Sequence, residues 1–381
     1  MRIQFDTGPL AGASKIALDM TNAQGTVFDA PLSEIRAHCA DDLPQAFAAI
    51  EDAKHKGHWI AGYMSYDLGV FLDPALAPLQ RDDYDLPLLE FGVFKAPKSA
   101  SDVNNVGNVQ TCLTPLWDLD HYKSAFSKAK SYIKAGDCYQ VNLTFPIGIE
   151  SDATPRQLYQ ALKVRQPVRY GALVETDHHT FLSRSPELFF KTDAHGQITV
   201  RPMKGTAPRG QDPVQNAAAK EWLAGSEKNQ AENLMIVDLL RNDVSRVSEI
   251  GSVKVPSLFE IETYETLFQM TSTVTAQLLP DVNFESLCKA LFPCGSITGA
   301  PKIRAMQIID ELEQAPRGAY CGAIGWIAPD GASEFNVAIR TLAFKAGSTT
   351  GQLNVGGGLV YDSDAEDEYN EALLKAEFAR L

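Results

Sequence analysis

Apolar and polar positions change rhythm several times along the chain. In LPQAFAAIEDAKHKG (43–57), Leu43, Phe47 and Ile50 recur at helical spacing and share one face. Around it lie short strand-like runs such as HWIAGYMSY (58–66). The stretch KAPKSASDVNNVGNVQTCLTP (95–115), rich in Ser, Asn, Gly and Pro, reads as a long loop. It divides an N-terminal subdomain, 1–115, which carries no catalytic motif, from a catalytic part, 116–381, of the same fold. Beyond it the spacing predicts a helix in DLDHYKSAFSKAKSYIKAG (118–136) closed by Gly136, and a strand in CYQVNLTFPIGI (138–149). A second helix follows, with Thr154 as N-cap and Pro155 in its first turn. In GAIGWIAPDGASEFNVAIRTLAF (322–344) strand candidates meet at an Asp-Gly turn, which favours antiparallel hairpins and an α+β class. No internal repeat interrupts the pattern.

Two helical segments carry carboxylates beside their apolar stripes. In EKNQAENLMIVDLLRND (227–243), Glu232 precedes Met235, Ile236, Leu239 and Leu240 by three, four, seven and eight residues. In DAEDEYNEALLKAEFARL (364–381), Glu371 extends the stripe Leu374, Phe378, Leu381, with Glu368 and Lys375 at its border. An unpaired inward carboxylate needs a cation or a proton. Oxygen ligands from two helices suit magnesium, whereas the plain alternative pairs each glutamate with a cation such as Arg241 or Lys375.

Composition narrows the partners. The 381 residues hold 34 basic and 48 acidic side chains, a net charge of −14 that repels nucleic acid and anionic membranes. No run of 18 apolar residues occurs and the start lacks a leader pattern, so a cytoplasmic location is expected. Six cysteines form no C-x-x-C pair, and the adjacent His178 and His179 read as a solvated pair in a polar turn.

Three glycine-bearing loops remain. FPCGSITGAPK (292–302) opens a helix, with Ser296 or Thr298 as candidate caps and Pro301 in the first turn, but lacks the Lys-Ser/Thr of a P-loop. NVGGGLVYD (354–362) lacks the glycine spacing of a dinucleotide fingerprint. Both suit a small anion other than a nucleotide. VRPMKGTAPRG (200–210) reads most simply as a surface turn carrying a solvated Lys204. A nucleophilic lysine would have to be neutral, which costs roughly 4 to 5 kcal/mol near pH 7 from an ordinary pKa.

GDCYQVNL, SRSPELFF, RPMKGT, AENLMIVDLLRND, GSVKVP, FPCGSITGAPK, GWIAPDG with VAIRTL, and GGGLVYDSDAEDEYNE occur in one order and together closely resemble the chorismate-utilising enzymes, from about residue 118 to the end. The resemblance implies one large α+β unit in which two mostly antiparallel sheets pack face to face with helices outside. It is closest to the branch that aminates chorismate at carbon 4, toward 4-aminobenzoate and folate. It implies Lys204 as nucleophile at ring carbon 2 and Glu187 as general acid. Glu232 and Glu371, with Glu368 nearby, are the implied Mg2+ ligands. Substrate contacts are implied for Gln140, Thr298, Tyr320, Arg340, Lys375 and the backbone of Gly356, Gly357 and Gly358. Relatives that add nitrogen at carbon 2 carry alanine in place of the lysine, and those that add water carry a lysine base where Gln140 stands. A non-enzymatic binding module using the same pocket is the remaining alternative. Gln269 and Cys294 depart from the common pattern; Gln269 can only hydrogen-bond. No Gly-x-Cys-x-Gly nucleophile is present, so ammonia is expected from solution or from a separate glutamine amidotransferase subunit.

Overall fold

The computed structural model describes residues 1–11, 25–82, 84–100, 109–264 and 267–381. The loop expected over 95–115 therefore lies partly outside the described residues; its flanks, Lys98–Ser99 and Cys112–Pro115, are short strands.

The described strands form two ten-stranded sheets. The first runs, in spatial order, through Gly299–Ala300, Gln140–Glu150, Thr350–Leu359, Thr341–Lys345, His179–Ser185, Tyr170–Glu175, Arg2–Phe5, Thr26–Phe28 and Lys98–Ser99. Cys112–Pro115 adds to Gln140–Glu150. The second runs through Met203–Pro208, Leu267–Gln277, Gln197–Arg201, Leu188–Thr192, Ser333–Val337, Ala323–Ile327, Trp59–Met64, Leu89–Phe94 and Ser33–Ala37, with Lys254–Thr263 also on Leu267–Gln277. Each pairing along these paths is antiparallel, as the Asp-Gly hairpin at Gly331 suggested. Both sheets take strands from before and after residue 115: Arg2–Phe5, Thr26–Phe28 and Lys98–Ser99 are grouped at one end of the first, and Trp59–Met64, Leu89–Phe94 and Ser33–Ala37 at one end of the second.

A core of Ile3, Phe5, Phe28, Tyr63, Phe94, Phe181 and Ile324 draws on both sheets, so the sheets pack face to face. Helices Leu119–Ala135, Pro155–Arg165, Lys302–Glu313 and Ala365–Ala376 cover the outer face of the first sheet. Leu43–His55, Glu227–Ser245 and Phe284–Leu291 cover the second. Local signals account for several ends. Thr154 and Gln157 form a reciprocal capping box, and Gly136 closes its helix at φ 82°, where a side chain is disfavoured.

Three local expectations are corrected. Ala365–Ala376 ends one turn early, and because its buried face runs through Ala372 and Ala376, Leu374 points to solvent, 69% exposed. Lys302–Glu313 begins without a side-chain cap, because the N-cap is Pro301, which has no side-chain acceptor, and the strand Gly299–Ala300 separates Ser296 and Thr298 from it. His179 is not solvated: the turn folds it back onto Phe181, leaving it 8% exposed.

Candidate active site

Glu187 lies where the chain crosses from one sheet to the other. His179–Ser185 ends in the first sheet, Pro186 stops the strand, and Leu188–Thr192 begins in the second. The crossover is pinned: the Ser185 hydroxyl donates to Val337 O at 2.6 Å, and the Glu187 N–H donates to Ser185 Oγ at 3.2 Å. The carboxyl is buried, which pushes its pKa up to about 7 against a hydrogen bond from Ser296 and the charge of Lys204. The Ser296 hydroxyl donates to Glu187 Oε1 at 2.8 Å.

Lys204 is not in a surface turn. It belongs to Met203–Pro208, paired with Leu267–Gln277, and the register slips between Met203 and Thr206. Such a bulge re-aims a side chain. Gly205 supplies the φ of 82° that the bulge requires. Gln269 holds the bulge from the neighbouring strand: its Nε2 donates to Gly205 O at 2.8 Å, and its Oε1 accepts from Thr206 at 2.9 Å. The residue that departs from the common pattern thus positions the lysine's strand. Burial pulls the Lys204 pKa below its ordinary value; Glu232 and Glu187 oppose this, Lys375 adds to it, and Glu371 opposes it.

The opposite wall is Thr350–Leu359, whose glycines leave room for side chains. A Cβ on Gly358 would stand 2.8 Å from Gln140 Nε2 and 3.3 Å from Lys204 Nζ; one on Gly357 would stand 3.0 Å from Glu368 Oε2 and 3.4 Å from Lys375 Nζ. Gln140 is fully buried, and both polar atoms of its amide lack a hydrogen-bond partner. A buried amide left unpaired is costly, and beside Lys204 it is available to a bound polar group. The Lys375 ammonium donates to Gly356 O at 2.9 Å and pairs with Glu371 at 2.9 Å. Lys204, Glu187, Gln140, Gly356 to Gly358, Glu232, Glu371, Glu368 and Lys375 thus converge where the two sheets and two helices meet.

Residues 13–380 match the family described as chorismate binding enzymes. The chain belongs to that family. The aminodeoxychorismate synthase of Streptomyces pristinaespiralis is 45% identical over 259 residues, 68% of this chain and 36% of that protein. The aminodeoxychorismate synthase component 1 of Klebsiella aerogenes is 42% identical over 267 residues, 69% of this chain and 58% of that protein. The matches thus span 36% to 58% of those curated relatives' own lengths. Among solved structures, anthranilate synthase component I from Streptococcus pneumoniae TIGR4 superposes with a TM-score of 0.81 over 97% of this chain and 95% of that one, at 25% identity.

Not every residue singled out for a chorismate binding enzyme joins the cluster. Thr298 is fully buried with its hydroxyl on the carbonyls of Cys294 and Gly295, both at 3.2 Å. Tyr320 is buried, and burial raises its phenol pKa. Arg340 adopts φ 49°, a conformation side chains disfavour, and its guanidinium, whose pKa burial lowers, has no partner among the described residues. No hydrogen bond or ion pair joins these three to Lys204 among the described residues. An open cleft of about 360 Å³, lined by Arg36, His38, Asp85, His178, His179 and Lys345, contains none of the cluster residues.

The carboxylates are less enclosed than their spacing suggested. Glu371 is 60% exposed and ion-paired with Lys375, and Glu232 is half-buried at the margin of its helix's apolar face, while Arg241 pairs with Asp238. Among the described residues no three His, Cys, Asp or Glu side chains stand close enough to hold a metal ion. The donor chemistry still suits a hard cation. Glu368 has its pKa raised by burial and by Glu371, and Glu232 and Glu371 both act on Lys204. Among the described residues no helix is long and apolar enough to cross a membrane.

Proposed function

We propose that the chain aminates chorismate with ammonia to 4-amino-4-deoxychorismate, toward 4-aminobenzoate and folate, through a covalent adduct on Lys204. The observation that carries the reading is a half-buried lysine whose pKa is lowered by desolvation, held in a strand bulge beside a carboxyl whose pKa is pushed up to about 7. Burial favours the neutral amine that a nucleophile needs. Glu187, protonated near neutral pH, is the general acid.

Neutral Lys204 Nζ forms a bond to ring carbon 2, the two conjugated ring double bonds shift by one position each, and the carbon 4 oxygen leaves as water with the proton of Glu187. Lys204 loses its extra proton to the Glu187 carboxylate. Ammonia then bonds to carbon 4, the two double bonds shift back, and Lys204 leaves carbon 2, taking up a proton as the new amine loses one. Gln140 and the Gly356 to Gly358 backbone offer hydrogen bonds to the bound acid. Arg340 offers an unpaired guanidinium suited to a carboxylate. Glu232, Glu371 and Glu368, which would have to draw together around the ion, would hold Mg2+, which when bound supplies charge to grip the ring carboxylate. Ammonia comes from a separate glutamine amidotransferase subunit or from solution.

Product identification by chromatography and mass spectrometry, with chorismate, magnesium and ammonium, tests this. The expected product is 4-amino-4-deoxychorismate, with an adduct on Lys204 in quenched enzyme and none in Lys204→Ala. That variant should leak slowly to the 2-amino isomer, because ammonia can then attack carbon 2 directly. Anthranilate from the unaltered chain, or undiminished 4-amino product from the variant, overturns the reading.

A further inference from the structure

Glu187 has two carboxyl oxygens, and only one proton position serves the leaving hydroxyl. The chain holds the two oxygens unequally. Oε1 accepts the Ser296 hydroxyl at 2.8 Å. Ser296 Oγ stands 3.2 Å from Cys294 Sγ, and both residues are buried. A serine hydroxyl has one proton. With that proton given to Glu187, the Cys294 thiol must be the donor to Ser296 Oγ. The order is therefore Cys294 S–H to Ser296 O–H to Glu187 Oε1. Burial and the neighbouring Glu187 keep Cys294 a thiol, its pKa pushed up to about 12.

We propose that Ser296 is a positioning residue, itself oriented by Cys294, which reserves Oε1 of Glu187 as a hydrogen-bond acceptor and so places the transferable proton on Oε2. In a carboxylic acid the carbonyl oxygen is the better acceptor and the hydroxyl oxygen carries the proton. A donor fixed on Oε1 therefore selects the tautomer with the proton on the other oxygen. The backbone is fixed independently through Ser185, so Ser296 acts on the carboxyl group alone. The other titratable groups whose charge couples to Glu187 are Lys204, Cys294 and Cys321. None of them donates to Oε1 among the described residues, and the Met203 backbone N–H, which also lowers the pKa of the carboxyl, is the other donor that acts on it. Cys294, a departure from the small residue of relatives, thereby gains a part in the site.

The assignment of Glu187 as acid rests on the proposed function, so one test reads the carboxyl without turnover. In protein carrying 13C-carboxyl glutamate, with the Glu187 signal assigned by its loss in Glu187→Gln, Ser296→Ala should move that titration upward by on the order of half a pH unit or more, because a hydrogen bond to the charged form is lost. In turnover, Ser296→Ala should lower kcat about tenfold with KM within about twofold, a modest share of what a general acid contributes. The alkaline fall of its rate should move upward to match. Ser296→Thr, which keeps the hydroxyl, should restore the pH profile, and Cys294→Ala should cost less than about threefold, the loss of a weak donor. An unmoved Glu187 titration in Ser296→Ala, or a threonine variant displaced as far as alanine, overturns the proposal. If the unaltered chain consumes no chorismate, the proposed function fails while the titration still decides the role of Ser296.

Discussion

Alanine placed at each of the three adjacent glycines should produce three different failures. At Gly356 the new Cβ meets the Leu143 carbonyl oxygen and stands 2.7 Å from Thr144 Cα, both backbone atoms of the paired strand. Ordinary carbon contacts lie near 3.5–4.0 Å. The strands must therefore part by most of an ångström or more, and overpacking of an unyielding neighbour costs about 3 kcal/mol or more. At Gly357 the nearest atoms are Glu368 Oε2 at 3.0 Å and Lys375 Nζ at 3.4 Å, the ends of side chains that can swing away. There the cost is under about 1 kcal/mol, partly offset by the stiffer unfolded chain. At Gly358 the Cβ lies 2.8 Å and 2.9 Å from the Gln140 amide and 3.3 Å from Lys204 Nζ. The amide has no partners to lose and can turn, so stability falls by only about 1–2 kcal/mol. The turned amide displaces the amine, and a misplacement of about 1 Å costs on the order of a hundredfold in rate. Thermal melting followed by circular dichroism, alongside chorismate turnover with ammonium, separates the three. Gly356→Ala should melt well below the parent, Gly357→Ala should keep turnover within about fivefold, and Gly358→Ala should fold while losing roughly ten- to a hundredfold in kcat. A fully active Gly358→Ala, or a Gly356→Ala with unchanged melting, refutes this account of the strand.

Glu187→Gln should abolish turnover while raising stability at alkaline pH. With the folded pKa about 7 and the ordinary value 4.5, the parent is stabilised below the lower value and loses that advantage as pH rises through the upper, on the order of 3 kcal/mol. Melting of parent and variant compared at pH 5 and pH 8.5 checks the sign: the gap should move in favour of glutamine at the higher pH. Activity of the parent should fall as pH rises above about 7, where the acid loses its proton. Chelation with excess EDTA should stop turnover, and Glu232→Ala should be folded yet inactive at any magnesium concentration; full activity in chelator removes the metal from the scheme.

Much of the architecture is written in short stretches. The amphipathic spacing of Leu43, Phe47 and Ile50, the cap at Thr154, the left-handed Gly136 and the hairpin at Gly331 depend on neighbours within a turn or two. Propensity and backbone hydrogen bonding decide such features locally, which is why they are legible before any packing is known. The ordered motifs likewise mark the family, because each is contiguous. Other properties depend on chain far away. PMKGT is a strand with a bulge only because Leu267–Gln277 pairs with it, and Lys204 is desolvated only because Gln140 and Gly358 close over it from the other sheet. Glu371 belongs to a helical stripe by spacing, yet it is 60% exposed, since packing turns the face of Ala372 and Ala376 to the core. Ser296 reaches Glu187 across 109 residues, and no local pattern marks it. Burial, the largest influence on Lys204 and Glu187 alike, is a property of what surrounds a group in space, so tertiary packing decided their chemistry.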